Sequence, residues 1–99
     1  MLAYRWTWIM KHGRMQEGLE LSETVTRSFK RDYAKIRHYT PNISPHVLVF
    51  ELVVESEEAK DKWFAEFNAT SEAEAFWEKY NSLTKRRVSL ERWNVTELE

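Results

Sequence analysis

Between Leu2 and Met10 large and small side chains alternate. Leu2, Tyr4, Trp6, Trp8 and Met10 fall on one side, Ala3, Arg5, Thr7 and Ile9 on the other. A period of two built from Trp, Tyr, Thr and Ile predicts a strand. Lys11-His12-Gly13 ends it, with the glycine marking the turn. The period then changes. Met15, Leu19, Val25, Phe29 and Tyr33 recur at near-helical spacing, with Gly18 and Ser22 small on the same side. Glu17 and Glu20 come early and Lys30 and Arg31 late, the order that suits a helix dipole. The spacing predicts a helix over 14–33.

The stretch KIRHYTPNISPHVLVFELVVES reads as two strands around a turn, broken by Pro41-Asn42-Ile43-Ser44-Pro45. From Val47 to Val54 nearly every residue is apolar, Glu51 being the interruption. A strand apolar on both sides is normally covered on both faces, so this one should be central. Ser56 is placed to cap a second helical region, in which Ala59, Trp63 and Phe67 follow at helical spacing. Asn68-Ala69-Thr70-Ser71 interrupts it. Ser71 and Glu74 have the spacing of a capping box, and Ala73, Phe76, Trp77, Tyr80 and Leu83 form the next stripe. RRVSLERWNV closes the chain as a last strand, Val88 and Leu90 on one side and Trp93 and Val95 on the other.

The order β-α-β-β-α-β is that of a ferredoxin-like α+β domain, a four-stranded antiparallel sheet with two helical regions on one face. Ninety-nine residues make one domain, 1–99. Helices on one face leave the other open, carrying either the Tyr4/Trp6/Trp8 row or Ala3/Arg5/Thr7/Ile9. A second copy of the sheet, laid face to face, is the expected cover.

Composition sharpens that expectation. Five Trp, four Tyr and five Phe are more than a small core conveniently hides, so a partner surface or a ligand cavity should take the excess. A net charge of −1 argues against a nucleic-acid duplex or an anionic membrane as partner. There is no cysteine, which excludes disulfides and thiolate nucleophiles. No apolar run reaches the ~18–20 residues of a membrane span, and the N-terminus has no signal-peptide pattern, so the expected location is cytoplasmic.

Three stretches resemble the dimeric α/β-barrel superfamily, in which two ferredoxin-like sheets pair into a barrel. They are YRWTWIMKHGRMQEGLEL, VFELVVESEEAKDKWFAEFNATSEAEAFWEKYNSL and RRVSLERWNV. The pattern is similar to the NIPSNAP-like and antibiotic-biosynthesis-monooxygenase-like branches. The resemblance implies a homodimer and allows functions from cofactor-free quinol oxygenation to small-molecule isomerisation. Haem degradation, also found there, goes with an Asn on the first strand, a Trp and a histidine on the second helix. This chain has Trp6 in the comparable first-strand region and no histidine after His46. For the monooxygenase branch the resemblance implies a cavity lined by Trp, Asn, Arg or His, and no diagnostic set of these is visible in the sequence.

Among candidate site residues, His38 lies on a strand with Ile36 and Thr40 to its side, either a proton shuttle or a partly exposed histidine without a role. Glu51 needs an explanation, because a buried charge is costly unless paired. It has either an arginine partner, Arg5 or Arg92, or a solvated cavity. With Thr7 these residues could orient a ligand inside the barrel, or form an ion pair at a dimer interface. Trp63, Phe67, Phe76, Trp77 and Tyr80 could wall a pocket for a flat ligand or be plain core, and Trp6 belongs to the same question. Lys85-Arg86-Arg87 reads as a solvated strand entry. No metal-ligand spacing occurs and no cofactor is implied. HVLVFELVV lacks the glycines and basic residue of an RNA recognition motif. The expected function is a homodimer binding a small apolar or aromatic molecule, with Arg5, Thr7, His38, Glu51, Arg92, Trp6 and Trp63 as ligand-binding candidates and no catalytic residue assigned. A cofactor-independent monooxygenase and a structural dimer with a filled barrel are the alternatives.

Overall fold

The computed structural model describes residues 1–41 and 46–96. Strands β1 (Leu2–Met10), β2 (Lys35–Tyr39), β3 (Val47–Val54) and β4 (Thr84–Asn94) form one antiparallel sheet in the order β2-β3-β1-β4. Helices α1 (Met15–Ser28), α2 (Glu57–Asn68) and α3 (Ala73–Leu83) connect them. This is the ferredoxin-like α+β plan, with the second helical region in two pieces. No helix of the described residues is long and apolar enough to cross a membrane.

The register settles which side of β1 meets the helices. Tyr4 pairs with Leu52, Trp6 with Phe50 and Trp8 with Leu48, and Leu48 and Leu52 are fully buried. Tyr4, Leu52 and Val54 share a core cluster with Phe29, Trp63 and Phe67, while Met10 and Leu48 join Tyr80 and Leu83. The large residues of β1 therefore face the helices. Ala3, Arg5, Thr7 and Ile9 alternate to the open face, beside Val53, Glu51, Val49 and Val47 of β3.

Helix α1 stops at Ser28 instead of running on to Tyr33. Thr24, Val25 and Thr26 are β-branched, and β-branching lowers helix propensity. The hydroxyls of Thr24, Thr26 and Ser28 bond back to the carbonyls of Glu20, Ser22 and Val25, a local alternative to extending the ladder. Phe29 leaves helical geometry at φ −125°, ψ 64° and is buried edge-on against Trp63 and Phe67. Tyr33 sits beyond the helix, its hydroxyl bonded to Glu66. Gly13, at φ 72°, makes the left-handed turn between β1 and α1 that other residues resist.

Ser56 caps α2 as expected, its side chain accepting from the Ala59 N–H at 3.2 Å. The expected capping box at Ser71 does not form. Glu72 precedes α3 in a helical conformation and no side chain caps the helix. The break is so short that turn follows turn: Thr70 N–H donates to Phe67 O, and Phe76 N–H to Glu72 O. Ser71 has no extended segment from which to cap. Trp77 Nε1 donates to Asn68 Oδ1 at 2.8 Å and pins this corner. Of the predicted β2–β3 turn, 42–45 lie outside the described residues.

Candidate functional site

Between the helix face of the sheet and the three helices lies a cavity of about 280 Å³. Its floor is Trp6, Trp8 and Phe50 from β1 and β3; its walls include Trp63, Phe67 and Tyr80 from the helices. The floor follows from the alternation of β1, which sets two indoles side by side on one face. The walls follow from i, i+4 spacing, which stacks Trp63 over Phe67 and Phe76 over Tyr80. The rings brace one another edge to face: Trp6 meets Phe64 at 5.3 Å and Trp8 meets Tyr80 at 5.3 Å.

Few polar groups reach this cavity. Trp63 is 2% exposed, and its Nε1 has no hydrogen-bond partner among the described residues. Burial pushes the Tyr80 hydroxyl above its usual range, with Ser22 acting weakly in the opposite direction. Ser22 lines the cavity as a buried small residue of α1. Arg87 lines it from β4, is exposed, and brings the one formal charge in the lining.

The open face is built otherwise. Glu51 is 2% exposed although no helix covers it. Arg5 Nε donates to its Oε2 at 2.6 Å and the Tyr39 hydroxyl donates to Oε1 at 3.0 Å. Arg37 Nη1 stands farther off, 3.9 Å from Oε1. The hydrogen bond to Glu51 raises the Arg5 guanidinium above its ordinary value, against the opposing effect of burial. Of the two arginines considered for Glu51, Arg5 is the partner. Arg92 pairs with Tyr4 and so shares the helix-side face, away from Glu51.

The candidates named from sequence thus divide between two faces. Arg5, Thr7 and Glu51 stand together on the open face. Trp6 and Trp63 line the aromatic cavity. His38 pairs with Phe50 and packs on it at 5.5 Å on the helix side, with its Nε2 buried and unpartnered among the described residues. Burial lowers its pKa, opposed by the nearby charge of Glu23. Arg87 was hidden in a run that reads as a solvated strand entry. A bulge explains this: Thr7 pairs with Ser89 but Trp8 with Arg87, so Val88 is an extra residue that turns Arg87 to the helix side. Ser22 was legible only as a small residue on the inner face of α1. Among the described residues no group of three or more His, Cys, Asp or Glu is placed to hold a metal ion.

No protein-family model matches the sequence, and no curated protein sequence does. Solved structures do match. An uncharacterised NIPSNAP domain protein from Burkholderia xenovorans superposes with a TM-score of 0.79 at 15% identity, over 97% of this chain and 95% of that one. A NIPSNAP family protein from Agrobacterium tumefaciens gives 0.78 at 13% identity, over 97% and 93%. The chain has their ferredoxin-like fold. A structure described as an antibiotic biosynthesis monooxygenase gives 0.73 at 15% identity, over 98% of this chain and 100% of the other. The NIPSNAP-like fold thus runs the length of the chain, with little sequence in common.

Proposed function

We propose that the protein binds a small, flat apolar or aromatic molecule in the cavity between sheet and helices, and works as a homodimer whose open sheet faces meet. The aromatic lining of the cavity carries the ligand reading. The surrounding rings supply a slot for a planar body. A volume of about 280 Å³ lies near the lower end of the ~300–1,000 Å³ of small-molecule pockets, which suits one or two fused rings. The ligand was expected inside a barrel, oriented by Arg5, Thr7, Glu51 and Arg92 with aromatics as walls; the aromatic cavity lies on the opposite side of the sheet from Arg5, Thr7 and Glu51, and the proposal moves with it.

Binding is favoured over oxygenation by the chemistry of the lining. Cofactor-free quinol oxygenation starts with loss of a phenolic proton to a base. Arg87 cannot accept a proton, the Tyr80 hydroxyl is held protonated by burial, and His38 is not among the lining residues. The dimer reading rests on the open face, where Ile9, Val47, Val49 and Val53 are half-buried and Trp93 is 50% exposed.

Thermal denaturation with naphthalene and 2-naphthol tests the ligand reading. Either compound, at about 100 times its dissociation constant, adds about 2.7 kcal/mol. Both should bind the native protein, and Val25→Phe, which fills the cavity, should block both. If neither compound moves the wild-type midpoint, the reading fails. Native mass spectrometry of the same sample tests the dimer, and a monomer at micromolar concentration would sink it.

A further inference from the structure

A second concavity, of about 370 Å³, lies on the open face. Arg5, Lys35, Arg37, Glu51 and Trp93 are among its walls. Three cations against one carboxylate leave two positive charges in excess, in a chain whose net charge is −1. Glu91 is the Cα partner of Arg5 on β4, but it is exposed and forms no part of the wall.

Arg5 makes the shortest contact with Glu51 of these cations. Its Nε is fixed on Glu51, and its guanidinium carbon lies 5.3 Å from the Tyr39 ring centre and 6.0 Å from that of Trp93. That hydrogen bond uses one of the five N–H groups of a guanidinium and leaves the terminal fork. The side chain keeps 40% exposure, so the fork is reachable. Both Glu51 oxygens are engaged, Oε2 by Arg5 and Oε1 by Tyr39, so the carboxylate facing the basin is already covered by donors. Arg37 and Lys35 lie on the same face of neighbouring β2. An arginine held at Nε, with a free fork and further cations beside it, is preorganised for a bidentate oxyanion.

We propose that this basin is a second ligand site, taking a small dianion, either a dicarboxylate or a phosphate. Arg5 and Arg37 provide the forks, Lys35 a point charge, and Glu51 positions Arg5 without touching the ligand. The site is independent of the aromatic cavity, because the sheet separates them. Under a second copy of the chain the basin becomes an enclosed, cation-lined chamber, where exclusion of water strengthens each contact.

Isothermal titration of the full chain with sodium succinate, sodium phosphate and sodium chloride at matched ionic strength tests this. Succinate or phosphate, or both, should bind saturably and chloride should not; the tighter of the two names the ligand's chemistry. Arg37→Ala and Lys35→Ala, both at exposed positions, should each weaken binding, Arg37→Ala by about tenfold, equivalent to 1.4 kcal/mol. Arg5→Lys, which retains the charge and removes the fork, should weaken it as much, while Val25→Phe leaves it unchanged. Heats reproduced by chloride, or unaltered in both Arg37→Ala and Lys35→Ala, would overturn the site and leave a solvated basic face.

Discussion

The two faces of this sheet are made by the same strands, one residue out of step, and they are stabilised by different means. Toward the helices stand Tyr4, Trp6, Trp8, Phe50 and Leu52, and the gain there is area removed from water. Toward the open side stand Ala3, Arg5, Thr7, Val49 and Glu51, where one carboxylate is buried under donors from its own face. The difference shows what covering does to composition. Where the same chain supplies the cover, side chains are large and leave an aromatic gap. On the side the helices leave open, small, branched and charged residues stand beside the half-exposed Trp93, and Glu51 is covered by donors from its own face.

The largest expected effect is on the helix side. Phe67→Ala removes a ring that touches Phe29, Trp63, Phe76 and Trp77, and should cost about 3–5 kcal/mol in urea unfolding. A loss near 1 kcal/mol would mean that the helix face is loosely packed and would erase the contrast. On the open side Arg5→Met strands Glu51 and should cost about 2–3 kcal/mol, less than the ~3–5 kcal/mol of a wholly buried pair because Arg5 is partly exposed and Tyr39 remains. The double variant Arg5→Met/Glu51→Leu should recover most of that loss. Failure to recover would show that the pair stabilises the face by more than neutralising itself.

The smallest effect is a slope. Burial lowers the His38 pKa below its ordinary 6.5. The unfolded chain therefore takes up the proton first as pH falls. The contribution of neutral His38 is complete above about 6.5 and is lost as pH drops through that value toward the lower folded one. Melting midpoints measured from pH 7.5 to 5.5 should decline, and His38→Leu should flatten the decline. An unchanged slope in that variant would place the titration elsewhere.

The sheet, the central place of β3 and the need of Glu51 for a partner were legible because each rests on a local period or on one residue that breaks it. The end of α1 was not. Tyr33 continues the helical spacing, and only the hydroxyl contacts of Thr24, Thr26 and Ser28 and the inward turn of Phe29 reveal the stop. The choice between Arg5 and Arg92 needed the register of β1 on β3 and β4, which alternation within a single strand does not contain. Trp6 and Trp63 could be read as aromatic, not as two sides of one gap, because the distance between a strand and a helix is set by everything packed between them. His38 could be read as a proton shuttle or as a histidine without a role; the structure packs its ring on Phe50 and buries its Nε2.

The extra residue at Val88 has a consequence for how β4 tolerates error. Were the bulge to relax, each residue before it would move by one rung; Arg87 would rotate to the open face and Arg86 would turn toward the helices. Because these neighbours are the same residue, a guanidinium faces the helices near the end of the strand in either arrangement. The doublet acts as redundancy in a code: a one-residue slip still leaves a guanidinium on the helix side, opposite Met10 in place of Trp8.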